Sequence, residues 1–295
     1  MGLLWALFTV LAAGGQAVRN ALQRELTQTL GTVGATHVRF LYGLPFALVF
    51  FAAVMLVTGH PMPALTATWL GWTLVGALAQ IVATAMLLFA MKERSFVLIT
   101  ALSKTEPVHV AIFGLVFLGD QLTVPLAAAI GLATLGVLIM SWPKQGGEML
   151  ALRPILVGIA SGAVFGLSAI GFRGGVKTLS VDNFVVAAST TLVAGLLIQV
   201  AVMTTYLLVR ERATLAALFR AWRPSIRAGF MGAFASQMWF LAFALESAAK
   251  VRTLALVEIF FAQLISRSFF RQSLASREGL GILLIVAGVV LLLNS

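Results

Sequence analysis

The chain contains no cysteine. Disulfides, thiolate metal sites and cysteine nucleophiles are therefore excluded. Charge is also scarce: Asp, Glu, Lys and Arg together make up 10% of 295 residues, against about 25% in a soluble domain. No stretch is left that could fold as a sizeable soluble domain. The three histidines, His37, His60 and His109, show no metal-ligand spacing with carboxylates. No G-x-x-x-x-G-K-[ST] sequence is present to cradle a nucleotide phosphate. A non-enzymatic protein without cofactor or metal is the expectation.

What the chain has is apolar length. Hydrophobic residues are 60% of it, and the mean hydropathy is +1.03. The net charge of +10 raises the question of nucleic acid, but the Lys and Arg lie mostly between apolar runs, with no basic face on a foldable domain. Basic residues gather in the cytoplasmic loops of membrane proteins, so the excess reads as topogenic and the expected partner is a lipid bilayer, not nucleic acid. The stretch 1–18 lacks a basic n-region and a small-residue cleavage site, and is expected to be a first span.

A span needs about 20 apolar residues. Reading between polar breaks predicts ten: 2–18, 34–57, 69–91, 95–118, 124–142, 155–172, 184–209, 225–245, 249–269 and 278–294. The fold expected is an all-α integral membrane protein. The basic stretch 210–227 is expected to form a helix lying on the surface. The stretch "PKQGGEMLALRP" is the most linker-like, so the chain divides into a first repeat (1–143), a linker (144–154) and a second repeat (155–295). A shift of 152 residues aligns Gly14 with Gly166, Gly43 with Gly195, Gly136 with Gly288 and, most tellingly, Glu106 with Glu258. Those two glutamates are the acidic residues deep within predicted spans. Five spans per repeat is odd, so the second repeat enters the membrane inverted, an architecture of secondary transporters whose sites lie at the midplane between repeats. Four basic loop residues fall on the side of the termini, Arg173, Lys177, Lys250 and Arg252, against fourteen opposite, Arg19 and Arg24 among them. This bias predicts non-cytoplasmic termini.

The densest polar stretch is "SKTEPVHV" (103–110). An acidic side chain at a helix centre costs at least ~2.5 kcal/mol on insertion scales, so Glu106 and Glu258 are candidates for a substrate- or proton-binding pair. The alternative is an ion pair fastening helices, with Lys104, Arg39 or Arg252 as partner. Lys104 is two residues from Glu106, so it is expected to meet a neighbouring helix or a substrate carboxylate. His109 shares the face of Glu106 and could shuttle protons or bond a backbone carbonyl. Pro107 is expected to kink the helix and under-bond the Ser103 carbonyl. Arg39 either snorkels or contacts a ligand, while His37 is expected at the interface. Mid-span Trp239 could stack on a planar or cationic substrate.

The segment "FAMKERSFVLITALSKTEPVHVAIFGLVFLGDQLT" (89–123), followed by "GLATLGVLIM" (131–140), has an alanine, sixteen residues to a Glu-Pro, a span, and a Gly-acid-x-Leu-Thr turn. In this it resembles the drug/metabolite transporter superfamily, of the ten-span EamA type. The second half repeats the pattern in "AFALESAAKVRTLALVEIFFAQLISRSFFRQSLA" (242–275), with Ile259 in place of the proline. The resemblance implies gradient- or exchange-driven transport of small metabolites, amino acids or organic cations, often exported. It also places the third span of each half against the cavity, which singles out Gln80 and Gln237. Many relatives keep their termini in the cytoplasm, opposite to the charge count.

The expected function is a secondary transporter of small organic solutes, monomeric or homodimeric, in the inner membrane of a bacterial-type cell, with alternating access around the glutamate pair and protons as candidate coupling ions. The runner-up is an importer of choline-like or lipid-headgroup solutes, since two carboxylates suit a cation. A channel would need a continuous polar pore, and a membrane-embedded enzyme a catalytic constellation. Neither is in the sequence.

Overall fold

The computed structural model describes residues 3–93, 96–141, 152–261, 264 and 276–294. Most of the expected linker and part of the ninth expected span lie outside the described residues. Within them, all regular structure is helical: α1 (Leu4–Leu41), α2 (Leu44–Thr58), α3 (Ala67–Glu93), α4 (Phe96–Ser103), α5 (Glu106–Phe113) with a π-helical turn to Leu118, α6 (Val124–Ser141), α7 (Leu152–Thr178), α8 (Phe184–Arg210), α9 (Arg212–Arg220), α10 (Trp222–Leu245), α11 (Ala248–Leu254) with a 3₁₀ turn to Val257, and α12 (Ser276–Leu293). Among the described residues six segments are long and apolar enough to cross a membrane, one of them the 55-residue Leu4–Thr58, and Val124–Ile139 and Gly279–Leu293 are shorter apolar helices. The chain is an all-α integral membrane protein.

The surface is inside out relative to a soluble protein. Val49, Leu56, Val57, Val124 and Leu283 are all more than 60% exposed, while Arg19, Arg39, Lys104, Glu106, Arg252 and Glu258 are buried. Hydrocarbon asks for that arrangement, provided the backbone is bonded within helices.

The first helix departs from the expected first span. It runs unbroken past Val18 to Leu30 and turns at Gly31, whose φ of 67° a side chain would strain. Arg19, expected in a loop, therefore sits inside a helix and is buried. Arg252, also counted as a loop residue, is buried in α11. Removing both from the loop tally takes one basic residue from each side and leaves its direction as it was. His37, expected at the interface, is fully buried and bonds Thr204 of α8 at 2.9 Å. The surface helix is confined to α9, where Arg212 and Arg220 are exposed and Leu218 faces inward. Of the rest of that stretch, Arg210 ends α8 and residues 222–227 belong to α10.

Small residues set the packing. On α7, Gly158, Gly162 and Gly166 recur every four residues and face α4 and α5. A Cβ at Gly162 would stand 2.5 Å from the Ser103 carbonyl oxygen, so only glycine admits that approach. The most extensive helix contacts are α3 on α7, α1 on α10, and α6 on α12. A shift of 152 residues carries α3 onto α10, the first part of α1 onto α7, and α6 onto α12, so it exchanges the first two pairs and maps the third onto itself. Contacts follow suit: Gly14 faces the Phe261 ring, and Gly166 faces His109, where 261 and 109 are themselves 152 apart.

Candidate functional site

Two interrupted helices present the glutamates. The helix carrying "SKTEPVHV" stops at Ser103 and restarts at Glu106, with Pro107 in its first turn, where a missing N–H costs nothing. Lys104 and Thr105 between them make only short-range backbone bonds, to Ala101 and Leu102. In the second half, α11 tightens into a 3₁₀ turn at 255–257 and helix resumes at Glu258. No proline is needed there, as the following residue is Ile259. Both carboxylates thus sit at the start of a half-helix, where the backbone dipole favours negative charge.

Each carboxylate takes its cation from the other half of the chain. Lys104 Nζ lies 2.5 Å from Glu258 Oε2, and Arg252 Nε lies 3.0 Å from Glu106 Oε1. The second contact is an ion pair without hydrogen-bond alignment, since neither atom has a hydrogen-bond partner among the described residues. All four side chains are at most 6% exposed. Removing one partner of such a buried pair typically costs about 3–5 kcal/mol.

Helix α1 supplies a polar stripe to the same cluster. Gln16 donates to Glu258 Oε2 at 2.7 Å and Asn20 to Oε1 at 3.2 Å. Arg19 Nη2 donates to Asn20 Oδ1 at 2.7 Å, and Trp239 Nε1 donates to Gln16 Oε1 at 3.0 Å. The spacing 16, 19, 20, 23 is one helical face. Gln23 closes it by bonding the Ala35 carbonyl across the Gly31 turn. The Arg252 guanidinium lies 4.3 Å over the Trp239 ring and 5.2 Å over Phe243. Trp239, expected to stack on a substrate, therefore stacks on the protein's own arginine, because α11 brings Arg252 between Glu106 and α10.

The other predicted site residues lie at the margins. Arg39 does not snorkel: it is 3% exposed and donates to Thr84 of α3 at 3.2 Å. It shares Gly232 of α10 with Arg19, since a Cβ there would be 3.4 Å from both Arg19 Cδ and Arg39 Cβ. Gln80 accepts from Gln199 of α8, and Gln237 donates to Ser189 of α8. His109 Nδ1 lies 3.0 Å from the Thr105 carbonyl of its own helix. Among the described residues no group of three or more His, Asp or Glu could hold a metal ion.

Sequence reasoning placed Arg19 in a loop, passed over Gln16 and Asn20 as parts of the cluster, and named Arg252 only as a loop residue and one candidate ion-pair partner. The signal was present as the period of the α1 polar stripe, but ending the span at Val18 hid it.

The model of the EamA-like transporter family matches residues 1–142. A solved structure described only as "Crystal structure of protein" is similar in fold, with a TM-score of 0.70 at 14% identity, covering 98% of this chain and 95% of that one. The comparison with curated proteins gave no match. Over residues 1–142, just under half of its length, the chain is thus similar to the EamA-like transporter family.

Proposed function

We propose that the chain is a secondary active transporter, an exporter or exchanger of small organic solutes such as amino acids, amines or organic cations. It is built of ten spans in two inverted five-helix repeats, 1–143 and 155–295, joined by the linker 144–154, and its termini lie on the non-cytoplasmic side. The observation that carries this reading is the crossed pairing of Lys104 with Glu258 and of Arg252 with Glu106. Both pairs join one repeat to the other, so any rocking of the repeats must strain or exchange them. The helix pairs that trade places under a 152-residue shift support the repeat, and interrupted helices are where transporters bind solutes and coupling ions.

The two ends of the molecule differ in a way that suits alternating access. At the end where α7 finishes, Arg173 holds both oxygens of Asp120 at 2.6–2.7 Å and donates to the Glu246 carbonyl at 3.2 Å. At the other end of α8 a cavity of about 510 Å³ is lined by Thr29, Gly31, Thr32, Glu211 and Thr214. One end is latched between repeats while the other holds open space. A proton on Glu258 would release Lys104, which is the coupling step this reading assigns to the pair. The test is solute efflux from proteoliposomes loaded with a mixture of amino acids, amines, organic cations and organic acids, read by mass spectrometry. Saturable loss of particular solutes is expected. Release no different from protein-free vesicles would refute the function.

A further inference from the structure

We infer that the central cluster holds a carboxylate-binding subsite made by Arg19 with Arg39, and that the transported solute carries an organic carboxylate. This deepens the transporter reading and rests on it.

Charge balance comes first. Four buried cations, Arg19, Arg39, Lys104 and Arg252, face two buried anions, Glu106 and Glu258. Lys104 and Arg252 are each within ion-pair distance of a glutamate, which leaves the charges of Arg19 and Arg39 without a counter-charge in contact among the described residues. Arg19 and Arg39 both pack against Gly232 of α10, so both belong to the same buried cluster. The Asn20 amide stands between Arg19 and Glu258, accepting from one and donating to the other. It relays polarity without neutralising charge.

Donor accounting gives the second, independent observation. Arg19 is 1% exposed, and its Nε and Nη1 have no acceptor among the described residues. Buried donors are nearly always paired, and a buried guanidinium with two idle nitrogens is among the costliest groups to leave so. Arg39 comes from the other arm of the Gly31 turn, with its Cβ beside Gly232, where Arg19 Cδ also lies, and its Nη1 on Thr84. Gly232 puts no side chain beside either stem. An anion seated there would satisfy the idle donors and neutralise the excess charge.

The cation receptors of the cluster are already used. Each glutamate has a basic side chain within ion-pair distance, and the Trp239 face is covered by Arg252. A quaternary amine would have to displace protein cations before binding, whereas a carboxylate finds its donors waiting. Guanidinium recognises planar carboxylates by charge-assisted hydrogen bonds.

The experiment is thermal unfolding of the full-length protein in detergent, titrated with sodium succinate, tetramethylammonium chloride or sodium chloride at matched ionic strength. Succinate is expected to raise the unfolding temperature beyond the chloride controls, as a ligand of the folded state does. Arg19→Gln is expected to weaken the succinate response by about tenfold or more in midpoint, the size of a lost charge-assisted hydrogen bond. Its ligand-free stability should not fall, because the buried cation removed has two unpaired nitrogens and its one hydrogen bond, to Asn20, lies within α1, whereas an arginine that fastened helices would take stability with it. Should Arg19→Gln fail to fold, that alone counts against the subsite, and Arg39→Gln repeats the titration with the same expected weakening. A larger shift with tetramethylammonium, an equal shift with chloride, or an unchanged succinate response in both variants would overturn the assignment. The transporter reading fails separately: a succinate shift lost with Arg19→Gln, in a protein that gives no solute efflux, upholds the subsite and rejects transport.

Discussion

Lys104 and Glu258 are 154 positions apart in the chain and 2.5 Å apart in space. Their contact, with Arg252 on Glu106, ties the two halves together through the residues that hydrocarbon tolerates least. Glu258 is the more fully coordinated, with Gln16 and Asn20 as further donors.

Lys104→Met should therefore destabilise the protein by about 3 kcal/mol or more, since it strands a buried carboxylate. Adding Glu258→Gln should restore much of the loss. A double-mutant cycle on unfolding in detergent measures this, and additive losses would show the two side chains to be uncoupled.

Arg252→Lys keeps a positive charge near Glu106 but gives up the planar guanidinium 4.3 Å over Trp239. The two side chains are not interchangeable at a stacked site. A loss of about 1 kcal/mol is expected, and it should vanish in a Trp239→Leu background. Equal effects in both backgrounds would mean that the stacking contributes nothing.

Glycine requirements differ along the chain in a way that can be measured. A Cβ at Gly162 would meet the Ser103 carbonyl at 2.5 Å, while one at Gly71 of α3 would meet nothing within 4 Å. Gly162→Ala should cost about 1–3 kcal/mol through forced helix displacement. Gly71→Ala should be neutral or stabilising by about 0.5–1 kcal/mol, because glycine is a poor helix former. Unfolding midpoints of the two variants decide it.

The absence of cysteine makes the Asp120–Arg173 latch easy to probe. Ala248, fully buried next to the latched Glu246 segment, can be replaced by cysteine as the sole thiol. Asp120→Asn should speed its reaction with a water-soluble maleimide severalfold. An unchanged rate would mean that the ion pair does not hold this end closed.

Much of this site was legible in the sequence, for particular physical reasons. A glutamate inside an apolar run is costly enough to announce itself, so Glu106 and Glu258 stood out as candidates. Pro107 likewise marked a place where a helix could not run on. The break before Glu258 was not legible, because the 3₁₀ turn at 255–257 carries no proline or glycine. The partners of the glutamates were not legible either: which cation reaches which carboxylate depends on helices meeting across 146 to 154 positions, and spacing along one helix says nothing of that. Arg19 was lost because a charged residue at the edge of an apolar run looks like the start of a loop. Only the continuation of α1 to Leu30 shows that its stripe of Gln16, Arg19, Asn20 and Gln23 faces inward.

The most direct test of the crossed ion pairs as the working element of transport is solute efflux from proteoliposomes bearing Glu106→Gln, Glu258→Gln or both, compared with the unaltered protein at equal reconstituted amounts. The account predicts that each single substitution slows efflux by at least about tenfold, the equivalent of roughly 1.4 kcal/mol on the barrier, and that the double variant does not turn over. Efflux from the double variant at the unaltered rate would contradict it.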